Sequence, residues 1–313
     1  MAGRTSLGPE EVAIARSVLY AAIFEYPLTL AQLRQTLELS LTPSRILAEY
    51  ERSQALRAII EHRDGFFFPR GRDEFVRERQ GREARSRAFL RGNRRLLRCI
   101  CAMPYVRMVA LSGSIAHLNL DHDGDLDLFI VTRGRHAWSV TVAVVLLAKI
   151  MRRRRAVCAN YTVADSSLAF DQQDLFTANQ VIHLKPLMGC DVYQALLAAN
   201  PFVYRFYPNF HHSGSTSLAR RRGVVLEGVK TAIEMLVAAP AAIAEIVCRI
   251  AYGWHLRRRA ALWRSPEQVS LRPDSLKLHT QSHRQSVCDR FDRSVEEALR
   301  EAERAVLRDR ARA

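Results

Sequence analysis

The chain has 313 residues, of which 48% are hydrophobic and 25% are charged. This composition excludes a disordered protein, and the length allows two or three compact units. The formal net charge of +15 favours an acidic partner such as nucleic acid, a nucleotide or an anionic membrane surface. Only four lysines are present, so a general codon bias toward arginine would produce the same excess without any such partner.

The six cysteines argue against two kinds of site. None forms a Cys-x-x-Cys pair with a matching Cys or His pair downstream, so we expect no zinc site. Their scattered positions also give no disulfide framework. The first residues, MAGRTSLGPEE, lack the apolar core of a secretory signal. We therefore expect a cytoplasmic protein.

Two apolar stretches are candidates for membrane contact. Residues 137–150 fall short of the roughly twenty residues that a spanning helix needs. Residues 224–254 are long enough, but Pro240 interrupts them and they contain five charged residues: Glu227, Lys230, Glu234, Glu245 and Arg249. We expect buried helices in both places and no transmembrane segment. Peripheral membrane contact through the second stretch is the alternative.

Residues 1–72 are expected to form a small helical domain that ends in a hairpin. Apolar residues recur at helical spacing over 10–25, Thr29 is a suitable cap for a short second helix, and Pro43 opens a third. The Asp64-Gly65 pair between two apolar runs then predicts a hairpin turn. Three helices followed by a hairpin resemble a winged helix over roughly residues 10–72, which implies either DNA binding or a role in protein contact.

Nucleic acid is a possible partner of this N-terminal winged-helix-like domain, because its third helix and hairpin carry several arginines. Glu49 and Glu51 in the same helix do not suit a surface that faces phosphates. The arginines concerned are Arg45, Arg52, Arg63, Arg70 and Arg72. The charged residues 73–103 that follow have apolar positions at helical spacing and predict one or two connecting helices with a solvated face.

Residues 105–132 contain the most specific pattern in the chain. An apolar run rich in β-branched residues ends at the turn Gly113-Ser114, and a second apolar run carries Asp125 and Asp127. Alternation along a strand places both carboxylates on one face. Adjacent carboxylates repel each other unless a cation lies between them, and magnesium commonly bridges carboxylates to substrate phosphates. The turn can hold a phosphate through its backbone amides and the serine hydroxyl.

This segment resembles the signature of the DNA polymerase beta-like nucleotidyltransferase superfamily. Gly113-Ser114 is followed by a ten-residue spacer and then by Asp125-Leu126-Asp127-Leu128. The resemblance implies that Gly113 and Ser114 bind a nucleoside triphosphate, while Asp125 and Asp127 are catalytic and bind Mg²⁺ or Mn²⁺. Such an enzyme transfers a nucleoside monophosphate to an acceptor and releases pyrophosphate. The acceptor is not identified by the sequence. Residues 96–209 are also similar to uncharacterised bacterial nucleotidyltransferase-domain proteins with an N-terminal winged-helix-like region.

Many superfamily members carry a third acidic residue on a later strand, which here corresponds to residues 156–165. No acidic residue lies within that strand; Asn160 occupies its middle and Asp165 its end. We expect Asn160 to be the third catalytic-site residue, on one strand face with Cys158 and Thr162; the alternative is that Asp165 completes the site from the end of the strand. A non-catalytic nucleotide-binding protein or a winged-helix regulatory protein would show the same gap, and this is the alternative function.

The predicted fold class is α+β. A small mixed β-sheet, the nucleotidyltransferase core, is expected over residues 104–170 with flanking helices. The winged-helix-like domain and the connecting segment precede this core, and a helical C-terminal region follows over residues 171–313.

Overall fold

The computed structural model describes residues 7–212, 224–280 and 283–311. The chain has an α+β fold with two sheets. The N-terminal part contains, in chain order, α1 (Pro9–Ala22), β1 (Leu28–Thr29), α2 (Leu30–Gln35), α3 (Pro43–Arg52), α4 (Gln54–Ile59), β2 (Ile60–Arg63) and β3 (Phe66–Pro69). Its three strands are antiparallel in the order β1-β3-β2. Helices precede the hairpin as the sequence predicts, but the predicted third helix is divided at Ser53 into α3 and α4, so four helices and not three lie in residues 7–59.

The turns of this part form where the sequence places them. The Thr29 hydroxyl accepts a hydrogen bond from the backbone N–H of Gln32 and caps α2. Asp64 and Gly65 join β2 to β3 with φ of +53° and +79°, the left-handed values that a two-residue hairpin loop requires.

The core of the N-terminal part is completed from the other end of the chain. Helix α14 (Arg284–Arg310) inserts its apolar side into the cluster formed by α1 and α4. Its buried contributions are Val287, Phe291, Val295, Ala298 and Ala302. Residues 1–72 consequently do not bury their core alone. Two further helices, α5 (Glu74–Gly92) and α6 (Arg94–Ala102), lead to the second sheet.

The second sheet is mixed and has six strands in the order β7-β4-β5-β6-β9-β8. The strands are β4 (Val106–Leu111), β5 (Leu126–Thr132), β6 (Val157–Ala164), β7 (Lys185–Met188), β8 (Val269–Leu271) and β9 (Ser275–Leu278). Only β5 and β6 run parallel, because α8 (Ala137–Ile150) crosses over between them. Helices α6 and α8 cover one face. The other face packs against α9 (Leu175–Ile182), α10 (Cys190–Ala199) and α11 (Phe202–Phe206).

The C-terminal region is not purely helical, which differs from the prediction for residues 171–313. It supplies β7, β8 and β9 to the sheet that begins at β4. β7 contains Pro186, which lacks a backbone N–H, and it lies at the edge of the sheet, where a proline is tolerated. β8 and β9 have three and four residues, too few to give a clear alternating pattern.

The second apolar stretch was predicted to be buried, and the structure contradicts this. It forms α12 (Val224–Leu236) and α13 (Ala238–Arg258), and many of its large apolar side chains are exposed. No single helix within the described residues is long and apolar enough to cross a membrane. The two helices taken together, with a bend of 72° between them, do reach that length and composition. The first stretch forms α8, whose bounds are those predicted and which buries six residues.

Candidate active site

The Gly113-Ser114 turn and the two aspartates lie side by side at one end of the second sheet. β4 and β5 are antiparallel with Leu111 opposite Leu128, so the end of β4 meets the start of β5. The backbone N–H of Ser112 donates to the carbonyl of Asp127 at 2.9 Å, which extends the pairing to the turn. Asp125 directly precedes β5 and Asp127 is its second residue.

A residue with a side chain does not fit at position 113, because the Asp127 carboxylate lies against the Cα of Gly113. Its φ is +61°, and a Cβ at this position would collide with Oδ2 of Asp127. The turn then enters α7 (Gly113–Ala116), a single helical turn with no side-chain cap. Gly113 and Ser114 are both exposed. The turn is therefore open to a ligand at the point where the carboxylate approaches it.

Three side chains at this end could contribute atoms to one metal ion. One ligand atom each from Asp125, Asp127 and Cys158 lies within 4.8 Å of the others. Burial, and then the charges of the two aspartates, raise the pKa of the Cys158 thiol to about 12. The Cys158 thiol donates a hydrogen bond to Oδ1 of Asn160 at 2.6 Å. Because a protonated thiol is a poor ligand and Mg²⁺ prefers oxygen, the two carboxylates are the fitting ligands for this ion.

The aspartates are only partly compensated by the protein. Burial, followed by the charge of Asp125, raises the pKa of Asp127 to about 7, although a hydrogen bond from Asn160 opposes this. Burial also raises the pKa of Asp125. A like charge and a neutral amide as neighbours leave Asp127 without a cationic partner among its described contacts. A divalent cation would supply the missing positive charge.

Asn160, and not Asp165, reaches the aspartates. Nδ2 of Asn160 donates to Oδ1 of Asp127. Asp165 follows the opposite end of β6, where its Oδ1 accepts from the backbone N–H of Gly134 at 2.9 Å. The two ends of β6 are separated by roughly 20 Å at about 3.3 Å per residue.

A β-bulge changes the strand face that the sequence predicts for Thr162. The register moves from Asp127 opposite Cys158 to Phe129 opposite Tyr161, so β6 has one extra residue here. Cys158, Asn160 and Tyr161 all line the cavity. Thr162 is buried on the other face, where its hydroxyl bonds to Thr141 of α8 at 2.9 Å. The prediction that Thr162 shares a face with Asn160 is wrong for this reason.

The turn and the aspartates open into a cavity of about 1150 Å³. Three parts of the chain form its walls: the N-terminal part through Tyr20 and Gln32, the second sheet, and α14 through Phe291. Ligand pockets commonly measure about 300–1,000 Å³. The cavity is thus large enough for a nucleotide together with part of a second molecule.

Basic side chains next to the turn were not singled out by the sequence. Lys185 pairs with Leu111 across β7 and β4, its side chain lines the cavity, and desolvation by the walls lowers the pKa of its amine. The rings of His117 and His183 are 4.2 Å apart and line the same cavity; desolvation lowers the pKa of both. The sequence does not indicate this histidine pair, because His117 and His183 are remote from each other along the chain.

Comparison of the chain with protein-family models, with curated proteins and with solved structures gave no match.

Proposed function

We propose that this chain is a metal-dependent nucleotidyltransferase that moves a nucleoside monophosphate from a nucleoside triphosphate to an acceptor and releases pyrophosphate. One observation carries the proposal. The Asp127 carboxylate lies on Gly113, with Asp125 beside it, at the mouth of a turn that opens into a large cavity. Metal ligands and a phosphate-binding turn in contact are what in-line nucleotidyl transfer needs.

The residues have separate roles in this reaction. Asp125 and Asp127 hold Mg²⁺ or Mn²⁺, which when bound neutralises charge on the triphosphate. The turn residues Gly113 and Ser114 bind the phosphates through backbone amides and the serine hydroxyl. Lys185 lies on the neighbouring strand and adds a positive charge, so it stabilises the negative charge that develops on the leaving pyrophosphate.

Transfer proceeds by attack of an acceptor oxygen on the α-phosphorus. The bond from this phosphorus to the oxygen that bridges to the β-phosphate breaks, and pyrophosphate leaves with the bonding electrons. Asn160 cannot take the acceptor's proton, because an amide is not a base at neutral pH. The acceptor's proton is released to solvent, and Asn160 orients Asp127 through its hydrogen bond.

The alternative is a protein that binds a nucleotide without transferring it. The absence of a third carboxylate beside Asp127 among the described residues favours this alternative. A regulatory role through DNA binding is less well supported, because arginines of the third helix and the hairpin form ion pairs within the chain. These pairs are Arg45–Glu10, Arg45–Glu49, Arg52–Glu49, Arg63–Asp73 and Arg72–Glu74.

Labelled nucleoside triphosphates, incubated with the protein, a cell extract and magnesium or manganese, test the proposal. We expect transfer of label to an acceptor, and loss of that transfer in Asp125→Asn and in Asp127→Asn. Asp123→Asn is the matched control, since Asp123 is an exposed carboxylate of the same loop and should leave transfer unchanged. Nucleotide binding without transfer, in the presence of either metal, would instead support the non-catalytic alternative.

A further inference from the structure

In residues 228–248 of the helix pair α12–α13, the charged side chains are buried and the apolar side chains are exposed, which is the reverse of the usual arrangement on a protein surface. Residues 228–248 contain three charged side chains, Lys230, Glu234 and Glu245, and all three are buried. Every exposed position in the same stretch is Gly, Ala, Pro, Val, Ile, Leu or Met. A helix on the surface of a soluble protein normally presents its charged side to water. We call the exposed apolar residues of 228–254 the outer face; it includes Met235, Leu236, Ile243, Ile246, Val247 and Ile250.

The charged residues of α12 hold it against the sheet. The Lys230 ammonium donates to the backbone carbonyl of Val106. The Glu234 carboxylate accepts from the backbone N–H of Tyr105 at 2.7 Å and pairs with Arg133 at 3.0 Å. These contacts orient α12 with its charged side inward.

A buried carboxylate and an apolar cluster hold helix α13 against α8. Glu245 accepts from the backbone N–H groups of Trp138 at 3.0 Å and Ser139 at 2.7 Å, and from the Ser139 hydroxyl at 2.6 Å. It thereby satisfies the unpaired amides at the start of α8. Gly253, about two helical turns beyond, is buried next to the Trp138 ring. The inward side of α13 is consequently fixed, and the outer face is left exposed to solvent.

The outer face protrudes most where the two helices meet. Leu236 is 84% exposed and Met235 is 69% exposed, and the chain bends by 72° at this point. Soluble monomers rarely expose a continuous apolar surface of this kind, and such patches mark sites of protein or membrane contact.

The C-terminal edge of the outer face is basic and aromatic. Residues 246–266 contain no aspartate or glutamate. The Arg258 guanidinium lies 3.6 Å from the centre of the Trp254 ring, and Trp254 is 55% exposed. Tryptophan and arginine beside an apolar surface suit the boundary between lipid headgroups and acyl chains. The exposed basic residues of this edge are Arg249, His255, Arg257, Arg258, Arg259 and Arg264.

We propose that the outer face of α12–α13 docks on the surface of a bilayer that contains anionic phospholipid. Positive charge at the edge complements anionic headgroups. Docking of a second copy would instead bring together two basic edges, on chains that each have a net charge of +15, and these would repel each other. A stretch with no exposed polar side chain also offers none of the hydrogen bonds of a specific protein interface. The inward contacts of Lys230, Glu234 and Glu245 keep the pair lying on the membrane and not across it. The inference stands independently of the proposed enzymatic activity.

Flotation of the full-length chain with lipid vesicles tests this docking. We expect the protein to float with vesicles of phosphatidylcholine and phosphatidylglycerol, and to float less with phosphatidylcholine alone or at high salt. Leu236→Glu should lower vesicle affinity at least about tenfold, because a buried leucine contributes more than a factor of ten. Leu307→Glu is the matched control; Leu307 is 54% exposed on α14, and its variant should bind as the wild type does.

Substitution of arginines in the basic edge measures how much their positive charge contributes to vesicle binding. Arg257→Ala combined with Arg258→Ala should weaken binding to the anionic vesicles and leave the weak binding to neutral vesicles unchanged. Circular dichroism and thermal unfolding verify that each variant is folded.

Four results would overturn the proposal. The first is a wild-type protein that does not bind anionic vesicles, and the second is an equal loss in Leu236→Glu and Leu307→Glu. The third is a dimer in sedimentation that Leu236→Glu dissociates while vesicle binding persists, which would assign the outer face to a second copy. Binding that resists extraction with alkaline carbonate would likewise contradict a surface location.

Discussion

The cavity end of the second sheet and the α12–α13 pair place their carboxylates in contrasting surroundings. Glu245 is buried, and two backbone N–H groups and a hydroxyl donate to it. Asp127 is enclosed too, but its neighbours are another carboxylate and one amide, and its pKa rises to about 7. The first carboxylate is satisfied by the protein, whereas the second has one amide donor and no cationic partner among its described contacts. Perturbed, undercompensated carboxylates in a cavity indicate function.

The two regions also differ in where they place their apolar residues. At the cavity end, the strands bury their apolar side chains and direct polar groups into the cavity. In residues 228–248 of α12–α13 the charged groups are buried and the apolar residues face outward. The first arrangement suits a polar ligand, and the second suits an apolar one.

Gly113→Ala should break the cavity end most severely. A Cβ on Gly113 would collide with the Asp127 carboxylate. The backbone also has a φ of +61°, which alanine adopts poorly. Displacing a ligand carboxylate by about 1 Å costs roughly 100-fold in rate, so we expect label transfer to fall by about that factor. Gly134→Ala is the control, since Gly134 has a similar φ of +56° and open space around its Cα. Equal transfer rates in the two variants would contradict the assigned role of the turn.

Glu245→Ala should destabilise the fold more than any substitution on the outer face. The change leaves two backbone N–H groups at the start of α8 without their acceptor. An unsatisfied buried donor costs about 1–3 kcal/mol, so we expect a loss of roughly 2–4 kcal/mol in the free energy of unfolding. Denaturant unfolding measures this loss. Glu303→Ala, at an exposed position of α14, is the control and should change the free energy of unfolding by less than about 0.5 kcal/mol. A loss no larger than that of the control would show that Glu245 is not the anchor of α13.

Asp127→Asn should stabilise the metal-free protein at high pH, the opposite of the effect at Glu245. The folded-state pKa of Asp127 is about 7, above the unfolded value near 4. Folding therefore favours the protonated form, and this contribution is complete below about pH 4 and is lost as the pH rises to about 7. Asparagine cannot ionise, and a shift of about three pKa units at about 1.4 kcal/mol each sets an upper limit of about 4 kcal/mol on the gain at pH 8, with little gain at pH 4.

Thermal unfolding with a chelator, at both pH values, measures this difference. Magnesium at pH 8 should then raise the unfolding temperature of the wild type and leave that of Asp127→Asn unchanged. A variant that is less stable than the wild type at pH 8 without metal would mean that Asp127 is already satisfied by the protein.

The sequence predicted those parts of the molecule whose signals are local. Residues 106–111 and 137–150 became β4 and α8 with the predicted bounds, because each is a continuous apolar run between polar turns. The spacing of Gly113 and Asp127 likewise placed them together, since two neighbouring antiparallel strands bring them to the same end.

Long-range features escaped prediction because nothing near them in the chain specifies their partners. Phe291 packs into a core that begins with α1, and Lys185 reaches the turn through an edge strand containing a proline. The composition of α12–α13 showed that the pair is apolar and led to the prediction of buried helices, but it did not show which side of each helix the charged residues occupy. Only the positions of Val106, Tyr105 and Trp138 show that they face inward.

The smallest expected effects concern the residue that completes the candidate site beside Asp125 and Asp127. Asn160 bonds to Asp127, while Asp165 bonds to the backbone of Gly134 at the far end of β6. We therefore expect Asp165→Ala to leave metal-dependent transfer nearly intact. Asn160→Asp adds a formal negative charge beside Asp127, and metal affinity depends on ligand charge, so this variant should be tolerated and should bind Mn²⁺ a few-fold more tightly. Calorimetric titration with Mn²⁺ measures the affinity, and Asn179→Asp, elsewhere in the cavity wall, controls for added charge alone. Collapse of transfer in a folded Asp165→Ala protein would show that Asp165, not Asn160, completes the site.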